Sequence, residues 1–412
     1  MNIFRALKSR NFKLFFYGQS ISLLGTWMQK TAVAWLVYRI TGSAVLLGVV
    51  TFVSLIPSLV LSPYAGSYID RHDRFKVMVN SQIISMIQAG ALAAMIYFKF
   101  YSITGIVLLS LLQGIVNSFD VICRQTLMID MVDRPQDLSN AIALNSIMTN
   151  LARVAGPALA GIALSVFGED FCFISNFMSY VPVLICLFMM KIKLQKTSRK
   201  RQGLWSELRE GCQYLLSEKD LMSLILLLAL SSMAVLPFNT LMPIFAKDLF
   251  HGTARTFSFF ESAMGLGSVL SAVYLANLES GKNLVKIVIV STFLFGGSVL
   301  LLSLSNMLSF SLFFMGLSGM GMMAQSAAIN TYIQLHAAPV MRGRVISYYI
   351  MAFQGVMPIG SLLIGFLAEI AGPKSAVAAS GCAGIVSILV FLYHKKKIFT
   401  RRDNASIEHQ SI

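Results

Sequence analysis

The sequence predicts an all-α protein that crosses a membrane twelve times, in two pseudo-symmetric six-helix halves. Three observations carry that expectation. Of 412 residues, 56% are hydrophobic and only 12% charged, whereas soluble domains carry about 25% charged residues. Apolar runs of about 20 residues, enough to span a bilayer, recur along the whole chain. Lysine and arginine then fall almost wholly on one side of the topology those runs imply.

The runs occupy 14–38, 44–66, 77–98, 104–127, 140–167, 170–190, 221–246, 256–278, 286–304, 308–330, 345–370 and 374–393. With the N-terminus inside, the inner segments hold 26 of the 33 Lys and Arg residues. They fall as 4 in the N-terminal segment, 3 in 71–76, 2 in 124–138, 8 in 191–219, 2 in 279–286, 2 in 336–344 and 5 in the C-terminal segment. The outer side holds only Arg39, Lys99, Lys247, Arg255 and Lys374, while Lys30 and Arg153 lie within spans. This bias predicts both termini in the cytoplasm. The net charge of +15 is then topological, and no nucleic-acid partner is expected.

The opening "MNIFRALKSRNFKLFF" lacks a short apolar core with a small-residue cleavage site, so no cleavable signal is expected. Cys123, Cys172, Cys186, Cys212 and Cys382 are scattered without metal-ligand spacing and read as small apolar residues. Histidines sit at span edges, in loops or in the tail, so no metal is expected. Domains follow as 1–190 for the first bundle, 191–219 for a linker, 220–394 for the second bundle and 395–412 for a cytoplasmic tail. Within the linker, Leu204, Leu208, Cys212 and Leu215 recur at helical spacing, which predicts a short amphipathic helix at the inner interface. A plain tether between the bundles is its simplest role.

An internal repeat supports two halves. Arg134–Gly161 aligns without gaps on Ala338–Gly365 at an offset of 204, bringing Pro135 onto Pro339, Gly156 onto Gly360 and Gly161 onto Gly365. Gly168 and Gly372 match at the same offset. Parallel halves around a central cavity are a transporter layout.

Between spans 2 and 3 stands "GSYIDRHDRFK", with Gly66 allowing close helix approach and Asp70, Arg71, Arg74 and Lys76 at the membrane edge. A carboxylate there can lock to cations or to a helix N-terminus across the bundle; an ordinary charged turn is the plainer reading. The loop resembles the signature loop of the major facilitator superfamily, Gly-x-x-x-Asp-Arg-x-x-Arg/Lys. The stretches from Ser9 to Gly48 and from Arg124 to Gly161, with "MRGRVISYY", resemble its branch of enterobactin-exporter-like and macrolide or multidrug efflux proteins. The resemblance implies alternating access and export. It also implies an inner gate of Gly66, Asp70, Arg71 and Arg74. "ARVAGPALAG" is similar to the helix-5 motif of antiporters, so that Gly156, Pro157 and Gly161 would serve a rocking interface between the halves. Their second-half counterparts are Gly360 and Gly365, with Arg342 and Arg344 before them. Proton-coupled relatives carry Arg-x-x-Gln-Gly in helix 4, where this chain has Ser110 in the arginine position before Gln113 and Gly114.

Ionisable groups within the bilayer are functional candidates by default. Lys30 lies inside span 1 beside Gln29, and Arg153 lies close to mid-depth in span 5. Asp120 and Arg124 share a face of span 4. Glu261 lies in the outer half of span 8, and Glu369 at the outer end of span 11 is expected to be solvated. Two readings of Arg153 stand. It pairs with Asp120 to staple helix 5 to helix 4, or Lys30, Arg153 and Glu261 face a cavity, the cations attracting anionic substrate groups and Glu261 carrying protons.

The expected function is export of small amphiphilic molecules, drug-like or siderophore-like, by proton-coupled antiport across a bacterial cytoplasmic membrane, by a monomer that needs no cofactor beyond the proton gradient. A dedicated siderophore exporter and a lipid or lysolipid flippase are the alternatives. No nucleotide loop or nucleophile-base constellation suggests an enzyme.

Overall fold

The computed structural model describes residues 4–192, 204–276, 283–338 and 341–410. Among them there is no strand, and twelve membrane helices follow one another. The first half comprises α1 (Arg10–Thr41), α2 (Ala44–Arg71), α3 (Arg74–Tyr97), α4 (Ile103–Met131), α5 (Leu138–Val166) and α6 (Glu169–Met189). The second comprises α7 (Lys219–Leu249), α8 (Ala254–Ala276), α9 (Leu284–Leu304), α10 (Leu308–His336), α11 (Arg342–Ala371) and α12 (Pro373–Gln410). Eleven helices are long and apolar enough to cross a membrane by length and composition. The remaining one, α1, has the length but is diluted by Gln19, Ser22, Thr26, Gln29 and Lys30, and it earns its place by packing within the bundle.

Local chemistry sets the joints. Gly42, at φ 62°, ends α1, and the Ser43 hydroxyl accepts from the Leu46 N–H to start α2. Asp73 caps α3 by accepting from Phe75 and Lys76 N–H groups. The turns α5–α6 and α11–α12 pass through Gly168 at φ 85° and Gly372 at φ 86°. Both lie in backbone space open to glycine, so the repeat of 204 has a structural meaning at those two residues. The tail departs from expectation in one respect. With no Gly or Pro between 394 and 410, α12 continues through it to Gln410.

Two helices are not regular. α7 passes from an α-helix ending at Leu230 into a π-turn at Ser231–Val235 and a 3-10 stretch at Leu236–Leu241, then a second π-turn at Phe245–Leu249. Pro237 and Pro243 remove backbone donors there. α11 has a π-turn at Met351–Gly355 just before Pro358. The two irregular zones are tied together, since the Ser232 hydroxyl donates to the Phe353 carbonyl.

In lipid, helices gain no hydrophobic drive toward one another, so close approach depends on small residues. α8 and α10 meet backbone to backbone, Gly267 on Gly316 and Gly319 on Met264. Between the halves, α2 packs on α11 and α5 on α8. Those crossings run from the end opposite the N-terminus, the far end, to the middle of the helices. Gly48 faces the Ser361 carbonyl, Gly365 faces Ala44 and Gly161 faces Ser258 toward the far end, while Gly265 faces Val154 and Gly355 faces Leu59 at mid-helix. Toward the terminal end the same faces are bare. Ile147, seven residues before Val154 and therefore on its face of α5, is 54% exposed, and Met351 on α11 is 42% exposed. The halves touch at the far end and splay at the other.

The linker helix Leu204–Ser217 docks on the start of α11. Arg344 Nη1 lies 2.6 Å from Glu210 Oε1, a Cβ on Gly211 would stand 3.1 Å from Arg344 Cβ, and the Tyr214 hydroxyl accepts from the Ala338 N–H. Leu215 is buried beneath it. The ion pair is half exposed, so Glu210→Gln should cost no more than about 1 kcal/mol; a thermal midpoint falling by more than about 5 °C would contradict that weight.

Candidate functional site

The first half has a polar interior. Asp120, 7% exposed, accepts from Gln82 Nε2 at 2.6 Å and pairs with Arg124 Nε at 2.9 Å. This corrects the staple drawn from sequence, because Arg153 does not reach Asp120. One turn along the same helix is nearer than the next helix, and Arg124 takes the carboxylate. Gln19, Ser22, Thr26, Asn117 and Tyr180 line a small pocket around the pair. Gln29 is also turned into this half. It donates to Gln88 and accepts from Asn176 Nδ2 at 2.8 Å, so it does not open on the space between the halves.

Arg153 goes instead to Trp27. The guanidinium carbon lies 5.5 Å from the indole centroid, and Lys30 Nζ lies 4.5 Å from the same centroid. Gly156 explains the approach, since a Cβ there would overlap Trp27 Cβ on α1. The two cations are thus at most about 10 Å apart, where repulsion at an effective dielectric of ~20 is about 2 kcal/mol. Arg124 adds its field to that on Lys30. Among the described residues no carboxylate stands within 4.0 Å of either Lys30 or Arg153, and Arg153 Nε is buried without an acceptor. Trp27 and Tyr38 are eleven residues apart, about three turns, and so share one face of α1. Tyr38 uses that face to reach the second half, which places Trp27 and the exposed Lys30 on the space between the halves.

On the second half, Asn239 Nδ2 of α7 donates to Glu261 Oε1 of α8 at 2.7 Å, while Asn239 Oδ1 is buried without a donor. One amide therefore offers a donor to an ionised carboxylate and an acceptor to a protonated one. One of the two sequence readings set Lys30, Arg153 and Glu261 on one cavity; the structure brings the first two together on Trp27 and holds Glu261 against Asn239 in the opposite half. Glu369 is exposed, as expected.

The glycine motif divides its work. Gly156 packs on α1 within its own half, and Gly161 packs across on α8. Its counterparts repeat the division, with Gly360 against Met233 and Pro237 of α7 and Gly365 across on α2. The rocking-interface expectation thus fits Gly161 and Gly365, whereas Gly156 and Gly360 seat α5 and α11 on the first helix of their own half. Pro157 lies inside an unbroken α5.

The gate loop sits at the splayed end. A Cβ on Gly66 would meet nothing within 4 Å, so this glycine serves no close approach in this arrangement, contrary to the sequence reading. Arg71 and Arg342 are exposed, Arg74 is half-buried, and Arg344 is engaged by the linker. The Asp70 side chain lies outside the described residues.

Sequence reasoning missed a cross-half contact at the far end. The Tyr38 hydroxyl donates to Asp248, Lys247 Nζ lies 5.2 Å from the Tyr38 ring centroid, and Trp35 stacks on Phe257 at 6.5 Å. Lys247 had counted only as an outer charge; an aromatic pair on span 1 was the available signal. Tyr38→Phe removes a hydrogen bond to a charged group, worth about 1.5–3 kcal/mol. Spin labels at exposed Lys99 and Lys374, on the two halves at this end, should then report a longer-distance population; an unchanged distribution would refute the contact as a closing element.

The sequence matches the family described as transmembrane secretion effector over residues 2–411. It is 25% identical over 390 residues to the staphyloferrin A transporter of Staphylococcus aureus, covering 94% of this chain and 96% of that protein. Over 400 residues it is 24% identical to macrolide efflux protein A of Streptococcus pyogenes, covering 93% and 97%. Among solved structures, a bacterial homologue of the iron transporter ferroportin superposes with a TM-score of 0.74 at 17% identity, covering 93% and 98%. The nucleoside transporter NupG superposes at 0.70 with 15% identity, covering 95% and 99%. At such identities the structures speak for the fold alone.

Proposed function

Because the chain belongs to the transmembrane secretion effector family of major facilitator transporters, we propose that it exports small amphiphilic molecules, drug-like or siderophore-like, by alternating access coupled to proton antiport. It is a multi-pass membrane transporter of the efflux kind and not an enzyme. The observation that carries alternating access is the wedge shape. The halves meet through Gly161, Gly48 and Gly365 at the far end and Gly265 at mid-helix, and they part at the other end. A rocking motion exchanges these contacts for new ones around Gly66, where space is free.

In this reading both termini lie in the cytoplasm of a bacterium, the splayed end opens inward, and a monomer works in the cytoplasmic membrane. Asp70, Arg71 and Arg74 close the inner end in the alternate state. Glu261 carries the proton, with Asn239 serving both of its ionisation states. A dedicated siderophore exporter is the second reading, favoured by the two cations that share Trp27.

The test is accumulation in an efflux-deficient host with and without a protonophore, following dyes, macrolides and chelators. Lower accumulation of several unrelated dyes, restored by the protonophore, supports gradient-driven multidrug export. Export of one chelator alone supports the dedicated reading. No change for any compound removes both.

A further inference from the structure

We propose that Lys30, Trp27 and Arg153 form an anion subsite for a substrate head bearing two negative charges, held beside the indole. The inference deepens the export reading and rests on it for its physiological meaning.

The argument starts from charge. Two cations from α1 and α5 flank one ring, and among the described residues neither has a carboxylate within 4.0 Å. Arg124 is different, because Asp120 already engages it at 2.9 Å. Mid-helix cations in a membrane protein are retained when they pair, meet water, or meet a ligand. The indole face satisfies part of each charge, yet Arg153 Nε remains a buried donor with no acceptor. Glu261, on the opposite half, is held by Asn239.

The geometry selects the ligand. An arginine fork takes a carboxylate or phosphate through two parallel bonds, and a lysine adds a compact point charge. With the two at most about 10 Å apart, a single dianionic head, or two carboxylates on one short backbone, reaches both. Trp27 carries both cations on one ring, so a head group held by them lies beside the indole. A neutral or cationic substrate would leave both charges uncompensated, so the subsite discriminates by sign as well as shape. Access is provided by the splay of the halves, since Lys30 is exposed although it lies in the middle of its helix.

The test reads Trp27 directly. The chain has three tryptophans, and Trp35→Phe with Trp205→Phe leaves Trp27 as the sole indole in the full-length protein, held in nanodiscs. Three tail-matched probes are titrated: octylsuccinate, its dimethyl ester and octyltrimethylammonium. The expected result is a saturable change in Trp27 emission with the dianion that weakens as salt rises, and no such saturation with the ester or the ammonium. Lys30→Gln and Arg153→Gln should each weaken the dianion by about tenfold or more, with Lys30→Arg and Arg153→Lys retaining most of it. Equal binding of all three probes, or unchanged dianion binding in both glutamine variants, overturns the proposal. The comparison of acid with ester needs neither glutamine variant, so a misfolded variant does not rescue the idea. Saturable dianion binding in a chain that lowers no compound's accumulation would keep the subsite and remove the export reading. Dye export without dianion binding would do the reverse.

Discussion

Gly161→Leu and Gly365→Leu should each cut export at least tenfold while leaving the protein folded in the membrane. A Cβ at Gly161 would overlap Ser258 of α8, and one at Gly365 would stand 2.8 Å from the Ala44 carbonyl of α2. Neither neighbour is the far end of a flexible side chain, so a leucine there separates the halves at the far end. Gly66→Leu makes the informative contrast. Its Cβ meets nothing within 4 Å in this arrangement, so it spares the far-end contact and impedes only the opposite closure. All three variants should lose export, but labels at Lys99 and Lys374 should move apart in the first two and stay in the third. If Gly161→Leu exports normally with unchanged label distances, the far-end crossings are not what the cycle makes and breaks.

Glu261→Gln should remove the coupling and leave binding. Glutamine keeps the oxygen that accepts from Asn239 Nδ2 at 2.7 Å, so α7 and α8 stay joined, yet it cannot exchange a proton. In vesicles with an imposed pH gradient, uphill export should fall to about the level without a gradient, whereas downhill exchange of bound substrate persists. Substrate-induced proton movement equal to the parent protein's would reject Glu261 as the carrier. Wholesale loss of substrate exchange would instead mark it as a binding or packing residue.

What the amino-acid order revealed depended on range. Neighbourhood within one helix was readable, as with Asp120 and Arg124 four residues apart. The repeat of 204 paired Gly156 with Gly360 and Gly161 with Gly365, and the structure gives each pair one role. Which partner each glycine would meet was not readable, because apposition across 97 residues, as from Gly161 to Ser258, leaves no periodic trace. Arg153 was left between two readings for the same reason, and only its pairing with Asp120 fails. The rotation of α5 against α1 decides its neighbour, and a nearby opposite charge was the only cue. The breaks in α7 and α11 were passed over, since Pro237, Pro243 and Pro358 lie inside apolar runs, and the π-turns beside them depend on tertiary bonds such as Ser232 to Phe353. Gly66 misled because its surroundings belong to a state of the molecule rather than to its sequence.

The crossings between the halves turn each half into a lever. From Val154, where α5 meets Gly265 of α8, to Leu138 at the helix start is about 24 Å at 1.5 Å per residue. A tilt of ~15° about that fulcrum swings the tip by roughly 6 Å, while points near the pivot shift by about 1–2 Å. The width of the mouth is therefore set by side chains that never touch the cargo. A single methyl added at the pivot is magnified several-fold where molecules enter, so natural variation in what this chain admits can arise at Gly161 or Gly365 as readily as among the residues that bind.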